Sequence, residues 1–170
     1  MCIRDRYTLN ITTNNFLAHN NLGAALYEQG KITEAVRHYS EALKIKPSYV
    51  EAHNNLGVVL YEQGRITEAI NHYSEVLRIK PDYAAAHNNL GLALSRQGKT
   101  QEAMIHYSEA LRIKPDYAIV HNNLGASLAE QGRFEEAISH FSEALRIRPD
   151  YAEARRNLML AYSLLNGQWP

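Results

Sequence analysis

The sequence predicts an all-α protein, a solenoid of helix–turn–helix units numbering about four and a half. Three observations predict it. The pentapeptide His-Asn-Asn-Leu-Gly begins at His19, His53, His87 and His121, and a degraded copy, Arg155-Arg156-Asn157-Leu158-Met159, follows at the same interval of 34 residues. Each interval contains two apolar stripes of helical period, and no segment alternates with period two, so no strand is expected. A fixed period in this range is the mark of stacked supersecondary units, each able to bury its apolar face only against a neighbour.

Taken in order, residues 1–15 match no part of the repeat. Met1-Cys2-Ile3-Arg4-Asp5-Arg6 resembles the translation of a transposon end used in preparing sequencing libraries, so this segment is expected to be an assembly artefact. Four units follow, residues 16–49, 50–83, 84–117 and 118–151, and residues 152–170 read as the first helix of a fifth, incomplete unit. In the second unit Ala52, Leu56, Val59 and Leu60 form the first stripe. Ile66, Ala69, Ile70, Tyr73, Val76, Leu77 and Ile79 form the second. Gly30, Gly64, Gly98 and Gly132 stand where the first helix should stop, as C-terminal glycines do. Pro47, Pro81, Pro115 and Pro149 should end the second helix, because proline cannot continue one. Ser48, Asp82, Asp116 and Asp150 are then expected as N-caps, with Glu51 and Glu153 at capping-box spacing. Gly57 and Ala69 are small enough to let the helices of a unit approach closely. Asn166-Gly167-Gln168-Trp169-Pro170 resembles Gln131-Gly132-Arg133-Phe134-Glu135 with one residue inserted. The chain therefore stops where a second helix should begin, and the natural protein is expected to continue, the alternative being a capping helix with Trp169 packed back on it.

Leu56-Gly57, Ala69, Tyr73 and Pro81, with their equivalents in each complete unit, resemble the tetratricopeptide repeat. Ala42, Ala110 and Ala144 match the family's second alanine, where the second unit has Val76. Histidine stands at His19, His53, His87 and His121, where the family often has tryptophan, and Leu60 where it often has tyrosine. The resemblance implies a right-handed superhelix with first helices lining a concave face, and a protein-interaction function. It covers Phe16 to about Pro170.

Composition narrows the function classes. Basic and acidic residues balance to zero formal charge, which argues against a nucleic-acid partner. No apolar run approaches the ~20 residues that cross a bilayer, so no membrane partner is expected. Cys2 is the only cysteine, which leaves no disulfide framework and fits a cytoplasmic protein.

Eight histidines recur in two places, at the head of the pentapeptides and at His38, His72, His106 and His140. No pair has the i, i+4 spacing of a zinc helix, and copies in successive units stand about one packing distance, ~10 Å, apart. They are expected to be structural, with no metal or other cofactor. Glu41 and Lys44, with the equivalents Glu75 and Arg78, Glu109 and Arg112, and Glu143 and Arg146, are i, i+3 pairs. Lys46, Lys80, Lys114 and Arg148 suit helix C-termini. No phosphate loop or nucleophile elbow is present, so the chain is not expected to be an enzyme.

The asparagines are the candidate site. Asn21, Asn55, Asn89, Asn123 and Asn157 each precede the packing leucine, and Asn20, Asn54, Asn88 and Asn122 stand beside the first four. Asparagine is a poor helix former, so a fixed place in mid-helix suggests a specific task. The resemblance implies that such a ladder holds an extended peptide on the concave face, as in the repeat arm of O-linked N-acetylglucosamine transferases. Bonding between units is the structural alternative. Tyr27 and Tyr61 would add aromatic contacts, and Ser95 and Ala129 replace them later. A carboxylate clamp is disfavoured: Asn20, Ala24, Ala85 and Asn89 stand at its places and only Asn55 matches.

The leading reading is a scaffold that binds protein or peptide segments in a concave groove. The second is the recognition arm of a larger enzyme, such as a glycosyltransferase, and the third is a module that self-associates end to end.

Overall fold

The structure is a computed structural model that describes residues 15–167. The expectations placed on residues 1–14 and on Trp169 lie outside these residues. The described residues form helices and turns only: α1 (Phe16–Glu28), α2 (Ile32–Ile45), α3 (Val50–Glu62), α4 (Ile66–Ile79), α5 (Ala84–Arg96), α6 (Thr100–Ile113), α7 (Ala118–Glu130), α8 (Phe134–Ile147) and α9 (Ala152–Leu165). The chain divides into two compact units, one up to Pro81 and one from Asp82. The first holds the hairpins α1–α2 and α3–α4, the second α5–α6, α7–α8 and then α9.

Each hairpin is closed by the same three devices. The first helix ends in a Schellman motif: Arg65 N–H donates to Leu60 C=O at 2.9 Å and Gly64 N–H to Tyr61 C=O at 3.0 Å, with Gly64 at φ +75°. Gly30, Gly98 and Gly132 repeat it, because the left-handed backbone needed there excludes most side chains. Second, the glycine of the pentapeptide receives the buried ring of the facing helix. A Cβ on Gly57 would stand 2.6 Å from Cε1 of Tyr73, so only glycine admits this approach. Tyr39, Tyr107 and Phe141 occupy the same place in the other hairpins and are among the most buried side chains of the described residues. Third, small residues line the seam: Ala35, Ala69, Ala103 and Ala137 have no exposed surface.

Between hairpins, α2 packs on α3 in the first unit, and α6 on α7 and α8 on α9 in the second. Helices α2, α4, α6 and α8 end just before proline, as expected.

The capping expectation is corrected. The N-caps of α3, α5, α7 and α9 are Tyr49, Tyr83, Tyr117 and Tyr151, and no side-chain cap bond forms there. Ser48, Asp82, Asp116 and Asp150 stand one residue too early. A turn in which Tyr49 N–H donates to Lys46 C=O hands the first helical carbonyl to the tyrosine, whose oxygen accepts from His53 N–H. Asp82 instead meets Arg112 at 3.0 Å. Among the described residues the side-chain cap that does form is that of Asn15, which accepts from Ala18 N–H at 3.1 Å.

All four expected i, i+3 ion pairs form, at 2.7–2.8 Å. Arg65–Glu68 and Arg133–Glu136 add two more. All lie at the surface, where solvent screens them, so each contributes little to stability. The expected helix-end cations also cover aromatic rings. Lys114 lies 4.9 Å from the centre of Tyr117 and Arg148 3.6 Å from that of Tyr151.

Candidate peptide-binding face

The two asparagine places differ in burial and in partners. Asn20, Asn88 and Asn122 are buried, at 7%, 5% and 1% exposure. Asn55, Asn89, Asn123 and Asn157 are half-buried, Asn21 is exposed and Asn54 is half-buried. The half-buried set reaches back to the preceding hairpin within each unit. Asn55 Nδ2 donates to Asn20 Oδ1 at 3.1 Å, Asn123 to Asn88 at 3.0 Å, and Asn157 to Asn122 at 2.9 Å. Asn88 Nδ2 in turn contacts Asn89 Oδ1 at 3.3 Å, and Asn122 Nδ2 donates to Glu153 at 3.1 Å.

This follows from burial. A mid-helix amide carried into a helix–helix seam must find partners, since an unmatched buried polar group costs about 1–3 kcal/mol. An amide offers donors and an acceptor together, so one residue type serves both sides of the contact. The amides therefore pin neighbouring first helices to one another. The second place keeps part of its surface, whereas in the first only Asn54 does.

Tyr27 donates its hydroxyl hydrogen to Glu62, whose two oxygens lie 2.6 and 2.7 Å away. That hydrogen bond, with the carboxylate charge and partial burial, pushes the phenol up to about 12. It ties α1 to α3. Tyr61 is half-buried on α3.

One feature was missed in the sequence. A cavity of about 270 Å³ opens between α7 and α9, lined by Ala126, Ala129, Phe141, Asn157, Leu160, Ala161 and Leu164, with Glu130 at its edge. It exists because two small residues on α7 face two leucines on α9. The signal in the sequence is the replacement of Tyr27 and Tyr61 by Ala129, which removes an aromatic contact and also opens space. A mostly apolar hollow with an amide and a carboxylate on its lining is the usual make-up of a ligand pocket.

The histidines are brought together in a way the repeat spacing did not suggest. Within each hairpin the two places meet, with Nδ1 atoms 2.9–3.1 Å apart. Among the described residues no three His, Cys, Asp or Glu side chains converge as metal ligands would.

Comparison with known proteins bears on the fold. The family model described as TPR repeat matches residues 23–64, 59–98 and 94–132. The one described as tetratricopeptide repeat matches residues 118–151. No curated protein matches the chain. Solved structures that superpose well include the MamA protein, 24% identical with a TM-score of 0.81, covering 90% of this chain and 84% of that one. YrrB, described as a TPR protein with an unusual peptide-binding site, is 20% identical with a TM-score of 0.79, covering 96% of this chain and 84% of its own. Pseudomonas aeruginosa pilF is 24% identical with a TM-score of 0.81, covering 89% and 69%. At these identities the likeness is one of fold.

Proposed function

This chain is a tetratricopeptide repeat protein, and from that premise we propose that it is a non-enzymatic scaffold that holds extended peptide segments against its first helices. The observation that carries this reading is the apolar cavity between α7 and α9, with Asn157 on its lining. An extended peptide bound there places one aliphatic side chain among Ala126, Ala129, Leu160 and Leu164. Its backbone meets the primary amide of Asn157, which can donate and accept without reading side chains. With an extended rise of about 3.3 Å per residue, the next first helix, one packing distance of about 8–10 Å away, meets the peptide about three residues on. Asn123 stands on that helix. The amide and apolar contacts are neutral, and the exposed Glu130 is the single charged side chain on the lining, so binding should depend only weakly on salt, unlike association driven by several exposed charges. The unusual peptide-binding site described for YrrB supports the class of ligand. The same face would serve the chain equally as the recognition arm of a larger enzyme.

Asparagine-to-alanine variants test this poorly, because Asn123 and Asn157 also pin neighbouring helices. Ala129→Tyr is the better probe. The equivalent residues of the first two hairpins are tyrosines, so the repeat accommodates the ring. Peptides of ten residues selected from a displayed library against the full chain should be rich in aliphatic residues and bind with little salt dependence. Ala129→Tyr fills the cavity, and should weaken a selected peptide at least tenfold while leaving thermal stability near that of the parent. Unchanged affinity in a folded Ala129→Tyr chain would remove the cavity as the site.

A further inference from the structure

The four histidine pairs form one repeated device. His19 faces His38, His53 faces His72, His87 faces His106, and His121 faces His140. Their Nδ1 atoms are 2.9, 2.9, 3.1 and 3.0 Å apart, with the rings tilted by 32–42°. Two nitrogens at this distance hold one hydrogen between them, so one ring carries N–H at Nδ1 and the other a lone pair.

The surroundings say which. Nε2 of His53 lies 2.8 Å from the carbonyl of Pro47, and Nε2 of His121 3.0 Å from that of Pro115. A carbonyl only accepts, so these rings carry their hydrogen on Nε2 and receive on Nδ1. His72 and His140 are therefore the Nδ1–H donors. The first hairpin agrees from the opposite side. Arg37 Nη2 lies 3.3 Å from His38 Nε2, and a guanidinium only donates, so the hydrogen of His38 is on Nδ1. In α9 the equivalent of the first histidine is Arg155, and its Nη2 donates to the Pro149 carbonyl at 2.7 Å. An obligate donor stands where His53 and His121 must donate.

One added proton can enter a closed pair such as His53–His72, on Nε2 of the donor ring, and leave the bridge intact, while in the first hairpin Arg37 already occupies that nitrogen. A second cannot, because it would set N–H against N–H at about 3 Å. We propose that the four pairs are acid-operated latches: a closed hairpin admits at most one added proton on its pair, an open hairpin admits two, and mild acid therefore opens the hairpins.

The flanking charges fit this. His38, His72, His106 and His140 are all held below the ordinary histidine value, first by burial. The charge of Arg37 follows for His38, and that of the partner histidine for the other three. Arg65 also lowers His72. The opposing groups are Glu34 and Glu41 at His38, Glu68 at His72, Glu102 and Glu109 at His106, and Glu136 and Glu143 at His140. Across the hairpins Glu41, Glu75, Glu109 and Glu143 also act on His19, His53, His87 and His121. Of these carboxylates, Glu41, Glu68, Glu75, Glu109, Glu136 and Glu143 are each committed to a lysine or arginine, which blunts their pull on a histidine proton. The sign follows from proton counting. The folded chain binds fewer protons than the unfolded one once the pH falls below the unfolded value of about 6.5. Stability is thus full above that value and declines below it.

Two measurements on the full chain test this. Nitrogen-15 NMR of the imidazoles at pH 7.5 should show His53 and His121 protonated at Nε2, and His38, His72 and His140 at Nδ1. Urea unfolding from pH 7.5 to 5.5 should show the unfolding constant rising, most steeply toward the acid end, by about tenfold or more per pH unit for each pair released. His53→Gln with His72→Gln, which together keep polar groups but titrate nothing, should remove one pair's share of that rise. Eight histidines titrating at the ordinary value with stability unchanged would overturn the proposal. So would Nε2–H tautomers throughout, a readout that needs no variant to fold, or a pH slope that the double variant leaves intact.

Discussion

Gly91 shows how a single residue sets the hairpin. A Cβ there would stand 2.5 Å from Cε1 of Tyr107, a ring only 1% exposed and with no room to swing. Gly91→Ala should cost about 1–3 kcal/mol as overpacking. Gly98 is glycine for another reason: its surroundings are open, and its φ of +77° is the constraint. Gly98→Ala should cost about 1–2 kcal/mol as backbone strain. Asparagine separates the two causes. It tolerates the left-handed backbone, so Gly98→Asn should recover most of the loss, whereas Gly91→Asn should be worse than Gly91→Ala. Thermal unfolding of the four variants checks the ordering, and parallel effects at the two glycines would contradict it. These two roles were legible in the sequence, because a helix-stop glycine sits beside proline-punctuated stripes and a packing glycine sits inside one. The histidine pairs were not. Contact across nineteen residues depends on how the hairpin closes, and periodicity reports only which face of one helix a residue occupies.

At the scale of an element, the stripes carried the helices and their stops, but the starts were misplaced by one residue. Ser48 and the three aspartates have the chemistry of caps. The turn after each proline nonetheless gives the first helical carbonyl to a tyrosine. Side-chain chemistry alone does not locate a cap when a backbone turn precedes it. The cavity was half legible: Ala129 in place of tyrosine was visible, while its pairing with Leu160 and Leu164 on another helix was not. The same reasoning grades core truncations by element. Leu90 is 5% exposed on α5, and Leu90→Ala should cost about 2–5 kcal/mol in urea unfolding. Leu158 is half-buried on α9, which packs on α7 and α8. Leu158→Ala should cost less than half as much. Equal losses would show that α9 is as fully integrated as the inner helices.

For the molecule as a whole, repetition turns weak local contacts into a reusable surface. Each repeat touches its neighbours, so stability adds up unit by unit and no single site dominates. The asparagines serve that addition first, by joining first helices within each unit, and the proposed function draws on the surface they keep. None of the described helices is long and apolar enough to cross a membrane. The central claim is that a peptide lies on the first helices beside the α7–α9 cavity. Amide-by-amide NMR mapping of a library-selected peptide on the labelled chain tests it most directly. The account predicts the largest shifts at Ala126, Ala129, Asn157, Leu160 and Leu164, with the exposed Glu135, Ser139, Ser142 and Arg146 of α8 unmoved. Largest shifts along those α8 residues, with the cavity silent, would contradict it.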